Sequence, residues 1–335
     1  MKKNKILSTI IRTFTVILLL ILCLVTFLIC TIATVFRGPS ETMKNLLVSS
    51  LMETSAMKFI PRAFFDEEEI NNITHGNFEE YNNYIATLAD VEIIIPQKEE
   101  NSEDAVASNG ITFEDVYGET YCGKMMIVDD PSRVSIEFVS TISETGNGLM
   151  LSEIANEDGV IAAFNGGGFL DNLGQGNGGM PLGVTIRDGE LLCDYDWYCP
   201  TTIGFDKDHK LIVGNMSGSQ ALNAGITQAA SFGPVLIKNG VVAPLSGSGG
   251  GLNPRTAIGQ RTDGAILVLV IDGRQPHSLG ASYSDLAKIM EEYGAVNAAN
   301  LDGGSSSMLF YEGELVNSLG SAIGQRRIPT AFVVR

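Results

Sequence analysis

The sequence predicts an α+β fold of mixed β-sheets with packed helices, preceded by one N-terminal transmembrane helix. Three observations carry this. Residues 13–36 form 24 consecutive positions without a charge. Residues 110–335 alternate short apolar runs with Gly-containing turns. Helical spacing recurs in that region only in short stretches, so a regular βαβ succession is not expected.

At 1.5 Å per residue the uncharged run reaches about 36 Å, enough for a hydrocarbon core of about 30 Å. It exceeds the roughly 7–15 residues of a signal-peptide core. An uncleaved anchor is therefore expected, although Cys30-Thr31-Ile32-Ala33 leaves cleavage open. Lys2, Lys3, Lys5 and Arg12 precede the run, and cytoplasmic flanks carry excess positive charge. Residues 1–12 are then a short cytoplasmic segment, 13–36 a single-pass cell-membrane anchor, and the C-terminal bulk extracytoplasmic. Residues 37–109 read as a stalk or connector, with helical stretches over 43–59 and 70–88 and a polar linker over 97–104. A folded domain follows over 110–335, long enough for one core.

Beyond residue 36 the chain holds 18 basic against 39 acidic residues, a formal charge of −21. Such a surface disfavours nucleic acid, whose binding depends on neutralising phosphates, and it suits anionic lipid poorly. Of five cysteines, Cys23 and Cys30 lie in the anchor. Cys193 and Cys199 flank a polar turn and are the disulfide candidate, with a Cys122 pairing still open. Three histidines and no Cys-x-x-Cys leave metal ligands unassigned. Asp206 and Asp208 beside His209 give a weak suggestion only. No cofactor is expected; a structural divalent cation is compatible with the fold but not readable.

Within the domain, residues 125–128 and 133–140 read as strands, 149–156 as a short helix and 160–164 as a buried strand. Asp188-Gly189, Lys238-Asn239-Gly240 and Glu312-Gly313 mark tight hairpins, because Asn, Asp and Gly tolerate the positive φ such turns need. Residues 265–271 form a continuous apolar strand, buried on both faces. Ser282-x-x-Asp285 resembles a capping box and opens a helix over 283–293 that Gly294 stops. Residues 296–301 form a strand ending at Asp302, and 330–334 a last strand.

Chemistry can sit where polar, Gly-rich segments follow these strands. In Asn165-Gly166-Gly167-Gly168-Phe169, Asn165 can hold a ligand or its own loop, and the glycine N–H groups can face an anion. In Asn253-Pro254-Arg255-Thr256-Ala257, Arg255 can grip phosphate or carboxylate bidentately, or make a salt bridge. Asn300-Leu301-Asp302-Gly303-Gly304-Ser305-Ser306-Ser307 places a carboxylate beside N–H and hydroxyl donors. Asp272-Gly273-Arg274 repeats the arrangement, with His277 as an acid or base. Each segment also has the plainer reading of a turn. Phosphate-loop, His-Glu-x-x-His and Gly-x-Ser-x-Gly signatures are missing.

Taken in order, these segments resemble the phosphodiester glycosidase family, which includes the uncovering enzyme that removes N-acetylglucosamine from a phosphate diester on mannose. Also matching are Ser231-Phe232-Gly233-Pro234-Val235-Leu236 and Val270-Ile271-Asp272-Gly273-Arg274. Gly168 is one glycine more than relatives commonly carry, and Ser305 stands where many have a third Gly. The resemblance covers most of residues 110–335. It implies hydrolysis of a sugar-1-phosphate diester on the sugar side, releasing free sugar and a phosphomonoester. Asp302, with Asp272 second, is the implied base or cation-stabilising carboxylate, and His277 a proton shuttle. Arg255 and Arg274 are implied phosphate contacts. Asn165, Thr256, Asn300, Gly303, Gly304, Ser305, Ser306 and Ser307 are candidates for sugar or phosphate hydrogen bonds. The implied partner is a sugar-phosphate diester or anionic envelope glycan, such as an exopolysaccharide. The alternative is a module that binds such a polysaccharide without turnover and serves its assembly.

Overall fold

The computed structural model describes residues 2–54, 56–75, 81, 83–84, 92–95, 109–171, 176–195, 201–245, 249–321 and 324–335. Helix α1, Lys2–Arg37, is continuous. Its segment Ser8–Arg37 contains an 18-residue window of mean hydropathy 3.2, none of it buried, which gives it the length and character of a membrane anchor or a signal sequence. Thr15, Thr26, Thr31 and Thr34 each donate to the carbonyl four residues back, so their hydroxyls are satisfied without water.

Among the described residues, three short helices follow: α2 Glu41–Met52, α3 Phe59–Arg62 and α4 Glu67–His75. Ser40 caps α2 by accepting from the Met43 N–H. The helix stops at Met52, short of the expected residue 59, where Thr54 N–H and Oγ1 both donate to the Leu51 carbonyl at 3.2 and 2.8 Å. Phe36 packs edge-on between Phe64 and Phe65, with centroids 5.1 and 5.0 Å away. This N-terminal segment also bonds to the domain. Leu252 N–H donates to Ser50 Oγ at 2.9 Å, Val235 N–H donates to Tyr81 at 2.7 Å, and Ile94 N–H donates to the Thr262 carbonyl at 2.9 Å.

The domain is α+β, as the sequence predicts, with three sheets whose named pairings are all antiparallel. The seven-stranded sheet runs β1 (Ile111–Tyr117), β2 (Cys122–Val128), β13 (Ile266–Ile271), β12 (Arg255–Arg261), β14 (Ala295–Asn300), β10 (Val235–Lys238), β11 (Val241–Val242). A five-stranded sheet runs β16 (Glu314–Leu315), β15 (Leu309–Tyr311), β4 (Ala162–Asn165), β17 (Thr330–Val334), β3 (Val134–Phe138). The other runs β6 (Glu190–Tyr195), β5 (Gly183–Arg187), β9 (Ile226–Phe232), β7 (Thr201–Asp206), β8 (Leu211–Asn215).

One core joins all three sheets. Met126, Ile258, Val268 and Ala299 meet Phe164, Leu309 and Phe332, and also Ile203, Phe205 and Val213. The Phe164 and Phe332 rings stack at 5.1 Å, and Phe205 meets Phe332 edge-on at 6.3 Å. The opposite face of the large sheet is covered by Leu286, Ile289 and Met290 of the helix Tyr283–Glu292. Both faces of β13 are thus dry, which explains its unbroken apolar run.

The capping box is present: Ser282 Oγ accepts from Asp285 N–H, and Asp285 Oδ2 accepts from Ser282 N–H at 2.8 Å. The hairpins at Asp188-Gly189, Asn239-Gly240 and Glu312-Gly313 all take positive φ at both residues. The helix expected over 149–156 is shorter, Leu151–Ile154. A further helix, Gly218–Asn223, is opened by a Ser217/Gln220 capping box.

The register gathers the chemistry-bearing segments at one edge. Arg255 opens β12 opposite Ile271, the end of β13, and Ala257 lies opposite Asn300, the end of β14. Because Phe164 anchors the stack shared by the sheets, Phe164→Ala is expected to cost about 3–5 kcal/mol, read as a lowered urea midpoint in detergent-solubilised protein.

Candidate functional site

The edge is organised by the buried amide of Asn165. Its Oδ1 accepts from Thr256 Oγ1 at 2.8 Å and from Met308 N–H at 3.1 Å, while Nδ2 donates to the Asp302 carbonyl at 2.7 Å. Asp302 N–H returns a bond to the Gly166 carbonyl at 3.1 Å. Asn165 and Thr256 therefore spend their polar atoms on positioning the Asp302 turn.

The glycine N–H groups expected to face an anion are bonded within the protein. Gly166 N–H goes to the Thr330 carbonyl, Gly167 N–H to Thr330 Oγ1 at 2.9 Å, and Gly168 N–H to the Ser231 carbonyl. These glycines permit close backbone approach: a Cβ on Gly167 would lie 2.6 Å from the Ser231 carbonyl oxygen. Asn300 Nδ2 donates to the Gly233 carbonyl at 2.8 Å. Its Oδ1 and the Ser307 hydroxyl are buried without a hydrogen-bond partner.

Asp302 is partly buried and accepts from Gly303 N–H at 2.9 Å. Burial pushes its pKa from 3.8 up to about 6; the Ser306 hydroxyl, the Gly303 N–H and Arg326 oppose the rise, and Asp171 adds to it. Arg326 pairs with Asp171 at 2.9 Å, reaches Ser305 Oγ at 3.5 Å, and lies 5.2 Å over the Phe169 ring. Neither Asp171 nor Arg326 belongs to a strand-end motif. The signals that mark them are proximity to Phe169 for one and scarcity of arginine for the other.

Arg255 is 1% exposed. Its Nε donates to the Ala281 carbonyl at 3.1 Å, and Nη2 donates to the carbonyls of Gly250 and Gly251. Tyr283 stacks on the guanidinium at 4.2 Å. Nη1 faces Glu53 Oε2 at 3.6 Å, and a Cβ on Gly303 would stand 3.9 Å from it. Glu53, just past α2, also accepts from Tyr283 OH at 3.2 Å. Burial, then the Glu53 charge, pushes the Tyr283 phenol up, so it stays a neutral donor.

Arg274 holds a positive φ of 58° and donates to Asn253 Oδ1 at 3.0 Å. Its guanidinium overlies Gly304, where a Cβ would come within 3.1 Å. Desolvation and then the Arg255 charge lower its pKa, while Glu53 and Asp302 raise it. Two guanidinium groups and the Asp302 carboxylate therefore share one electrostatic environment.

Asp272 and His277 keep different company. Asp272 Oδ1 accepts from Ser318 N–H at 2.8 Å, and Oδ2 lies 3.4 Å from His277 Nε2. Cys122 stands beside them, its thiol pushed up by burial and then by the Asp272 charge. The Asp206 carboxylate instead clamps a turn, accepting from Asp208 and Lys210 N–H at 2.9 Å each. Cys193 carries a free thiol 3.7 Å from the Pro181 carbonyl, and Cys199 lies outside the described residues.

The family model described as phosphodiester glycosidase matches residues 158–335. An uncharacterized SPbeta prophage-derived protein, YomE, of Bacillus subtilis (strain 168) is 30% identical over 210 residues, 59% of this chain and 32% of that protein. The mouse N-acetylglucosamine-1-phosphodiester alpha-N-acetylglucosaminidase is 24% identical over 225 residues, 60% of this chain and 42% of its own length. The chain thus spans well under half of these curated relatives. Among solved structures, the zebrafish enzyme of that name, a catalytic domain auto-inhibited by its pro-peptide, superposes with a TM-score of 0.53 at 23% identity. It covers 70% of this chain and 85% of the zebrafish one. A hypothetical protein from Synechocystis gives a TM-score of 0.54 at 17% identity, over 68% of this chain and 63% of that one. Both structural likenesses establish the fold.

The Asp302 environment has a consequence for stability. A carboxyl whose folded pKa is raised stabilises the fold below its unfolded pKa and loses that contribution as pH rises through the folded one. Between pH 3.8 and about 6, melting temperature is expected to move against the wild type relative to Asp302→Asn, with the curves parallel above that window.

Proposed function

The chain belongs to the phosphodiester glycosidase family, and on that premise we propose that it hydrolyses a sugar-1-phosphate diester, releasing free sugar and a phosphomonoester. The observation that carries this reading is the desolvated Asp302 carboxylate set among Arg255, Arg274 and Arg326. Asp302 takes a proton from the attacking water, or faces the cationic charge that develops at the anomeric carbon. The bond from that carbon to the phosphate oxygen breaks, and the phosphomonoester leaves with the electron pair. Phosphate is a weak base, so no strong general acid is required. Arg274 and the Nη1 edge of Arg255 bind the diester charge. The Gly303 and Gly304 backbone and Ser305, Ser306 and Ser307 line the turn against which the substrate rests. Asp272 and His277 take no step in this scheme.

An envelope placement supports one substrate class. With α1 as an uncleaved anchor, its N-terminus cytoplasmic and residues 110–335 outside, the reachable phosphodiesters are those of envelope glycans and glycoconjugates. Residues 37–109 then act as more than a spacer. Glu53 sets a carboxylate against the one open edge of Arg255, where the substrate phosphate is proposed to bind. The zebrafish relative is auto-inhibited by its pro-peptide, and we read Glu53 as the corresponding internal occupant. Binding of an intact anionic polysaccharide without turnover is the competing reading. A carboxyl whose pKa burial raises to about 6, with Arg326 and Arg274 in its field, supports hydrolysis over it.

The full-length chain in detergent should release free sugar from at least one member of a panel of α-sugar-1-phosphate diesters. Asp302→Asn should lower kcat by ~10²-fold or more, and Arg274→Ala should raise KM about tenfold, the loss of ~1.5 kcal/mol from one charge-assisted contact. Wild-type kcat/KM should rise as pH passes about 6, with that limb missing in Asp302→Asn. Intact polymer bound tightly with no product across the panel would instead support the binding module. Glu53→Gln should lower KM about fivefold, since the 34% exposed carboxylate competes with ~1 kcal/mol of screened attraction; an unchanged KM would remove Glu53 from the phosphate position.

A further inference from the structure

The corner that the proposed reaction leaves unused contains three side chains of metal-ligating type. Cys122 Sγ, an Asp272 carboxylate oxygen and a His277 ring nitrogen all lie within 4.8 Å of one another. They come from three segments: the start of β2, the residue after β13, and the loop that follows. The backbone fixes two of them together. Asp272 N–H donates to the Cys122 carbonyl at 2.9 Å. The buried Ser278 hydroxyl donates to the Asp272 carbonyl at 2.6 Å and accepts from Cys122 N–H at 3.2 Å.

The carboxylate is also aimed. Ser318 N–H holds Oδ1 at 2.8 Å, leaving Oδ2 free to face the other two groups. Outer hydrogen bonds of this kind orient metal ligands. The Asp272 Oδ2 to His277 Nε2 separation is 3.4 Å. A strong charge-assisted bond would close to about 2.7–2.9 Å. The edge between nitrogen and oxygen in a tetrahedral shell with zinc-like bond lengths is about 3.4 Å. The edges to sulfur would be about 3.6 Å, so the thiol needs an approach of about an ångström or less. The His277 side chain is 53% exposed, which lets it follow and leaves one side of the cluster open to solvent.

We propose that Cys122, Asp272 and His277 form a three-ligand site for a thiophilic divalent cation of the zinc class, with the fourth position open to water or a ligand oxygen. The donor set of sulfur, imidazole nitrogen and carboxylate oxygen selects such an ion over magnesium or calcium, which take oxygen ligands. On uptake the Cys122 S–H bond breaks, its proton passes to solvent, and the thiolate binds the cation without any change of oxidation state. This site does not rest on the proposed hydrolysis, and its test reads the metal directly.

The full-length chain, reduced and stripped with a chelator, is titrated with Co²⁺ and then with Zn²⁺. The expected result is a thiolate-to-cobalt charge-transfer band and intense tetrahedral visible absorption, saturating at one equivalent and displaced by Zn²⁺. Cys122→Ser should abolish the charge-transfer band. His277→Ala, a change on an exposed loop that the core does not use, should weaken binding by about tenfold or more with melting temperature in the chelated state unchanged. Cys193→Ser should leave the spectrum intact. Absence of the band in the wild type, its persistence in Cys122→Ser, or undiminished affinity in His277→Ala would overturn the assignment.

Discussion

The candidate site depends on one side-chain amide. Asn165 ends a strand of one sheet and bonds to Thr256, Met308 and Asp302, which lie 91 to 143 residues further along the chain. Asn165 and Thr256 are fully buried, so loss of the amide strands a backbone N–H and a hydroxyl, which is costly. The same three bonds set where Asp302 stands relative to the start of β12, and so relative to Arg255. The geometry of the candidate site is inherited from sheet packing: the stacked Phe164 and Phe332 sit directly beneath the strand end that carries Asn165.

Around that fixed carboxylate the charges are unequal in freedom. Arg255 is held on two of its nitrogens by backbone carbonyls and stacked on Tyr283, so its position is set before any ligand arrives. Arg274 is more exposed and held by one side-chain bond, and Arg326 is neutralised by Asp171. In a strongly acidic chain, three arginines and the three carboxylates of Glu53, Asp171 and Asp302 thus meet at one site in near balance of formal charge. Glu53 belongs to this balance as much as any strand residue does.

Local patterns in the sequence reveal much of this. The apolar run of β13, the Ser282/Asp285 capping box, the two-residue hairpin turns and the polar strand ends are all written in short stretches of chain. Asp302 and Arg274 stand where those patterns place them. What is hidden are the pairings made by topology. Glu53 meets Arg255 across some two hundred residues, Asp171 meets Arg326, and Cys122 meets Asp272 only because β2 lies beside β13. The glycines after Asn165 mislead for a related reason: a Gly-rich loop looks like an anion nest until its N–H groups are found bonded to Thr330 and Ser231. Gly168, the extra glycine, is absorbed in this way, its N–H paired to Ser231. Ser305, in place of a third glycine, turns its hydroxyl toward Arg326.

The proposed reaction breaks the bond between the sugar and the phosphate oxygen. Hydrolysis of an α-sugar-1-phosphate diester in ¹⁸O-labelled water, followed by mass spectrometry of both products, tests it most directly. Label in the free sugar and none in the phosphomonoester is the predicted result. Label in the phosphate would mean attack at phosphorus and would contradict the role given to Asp302 and its arginines.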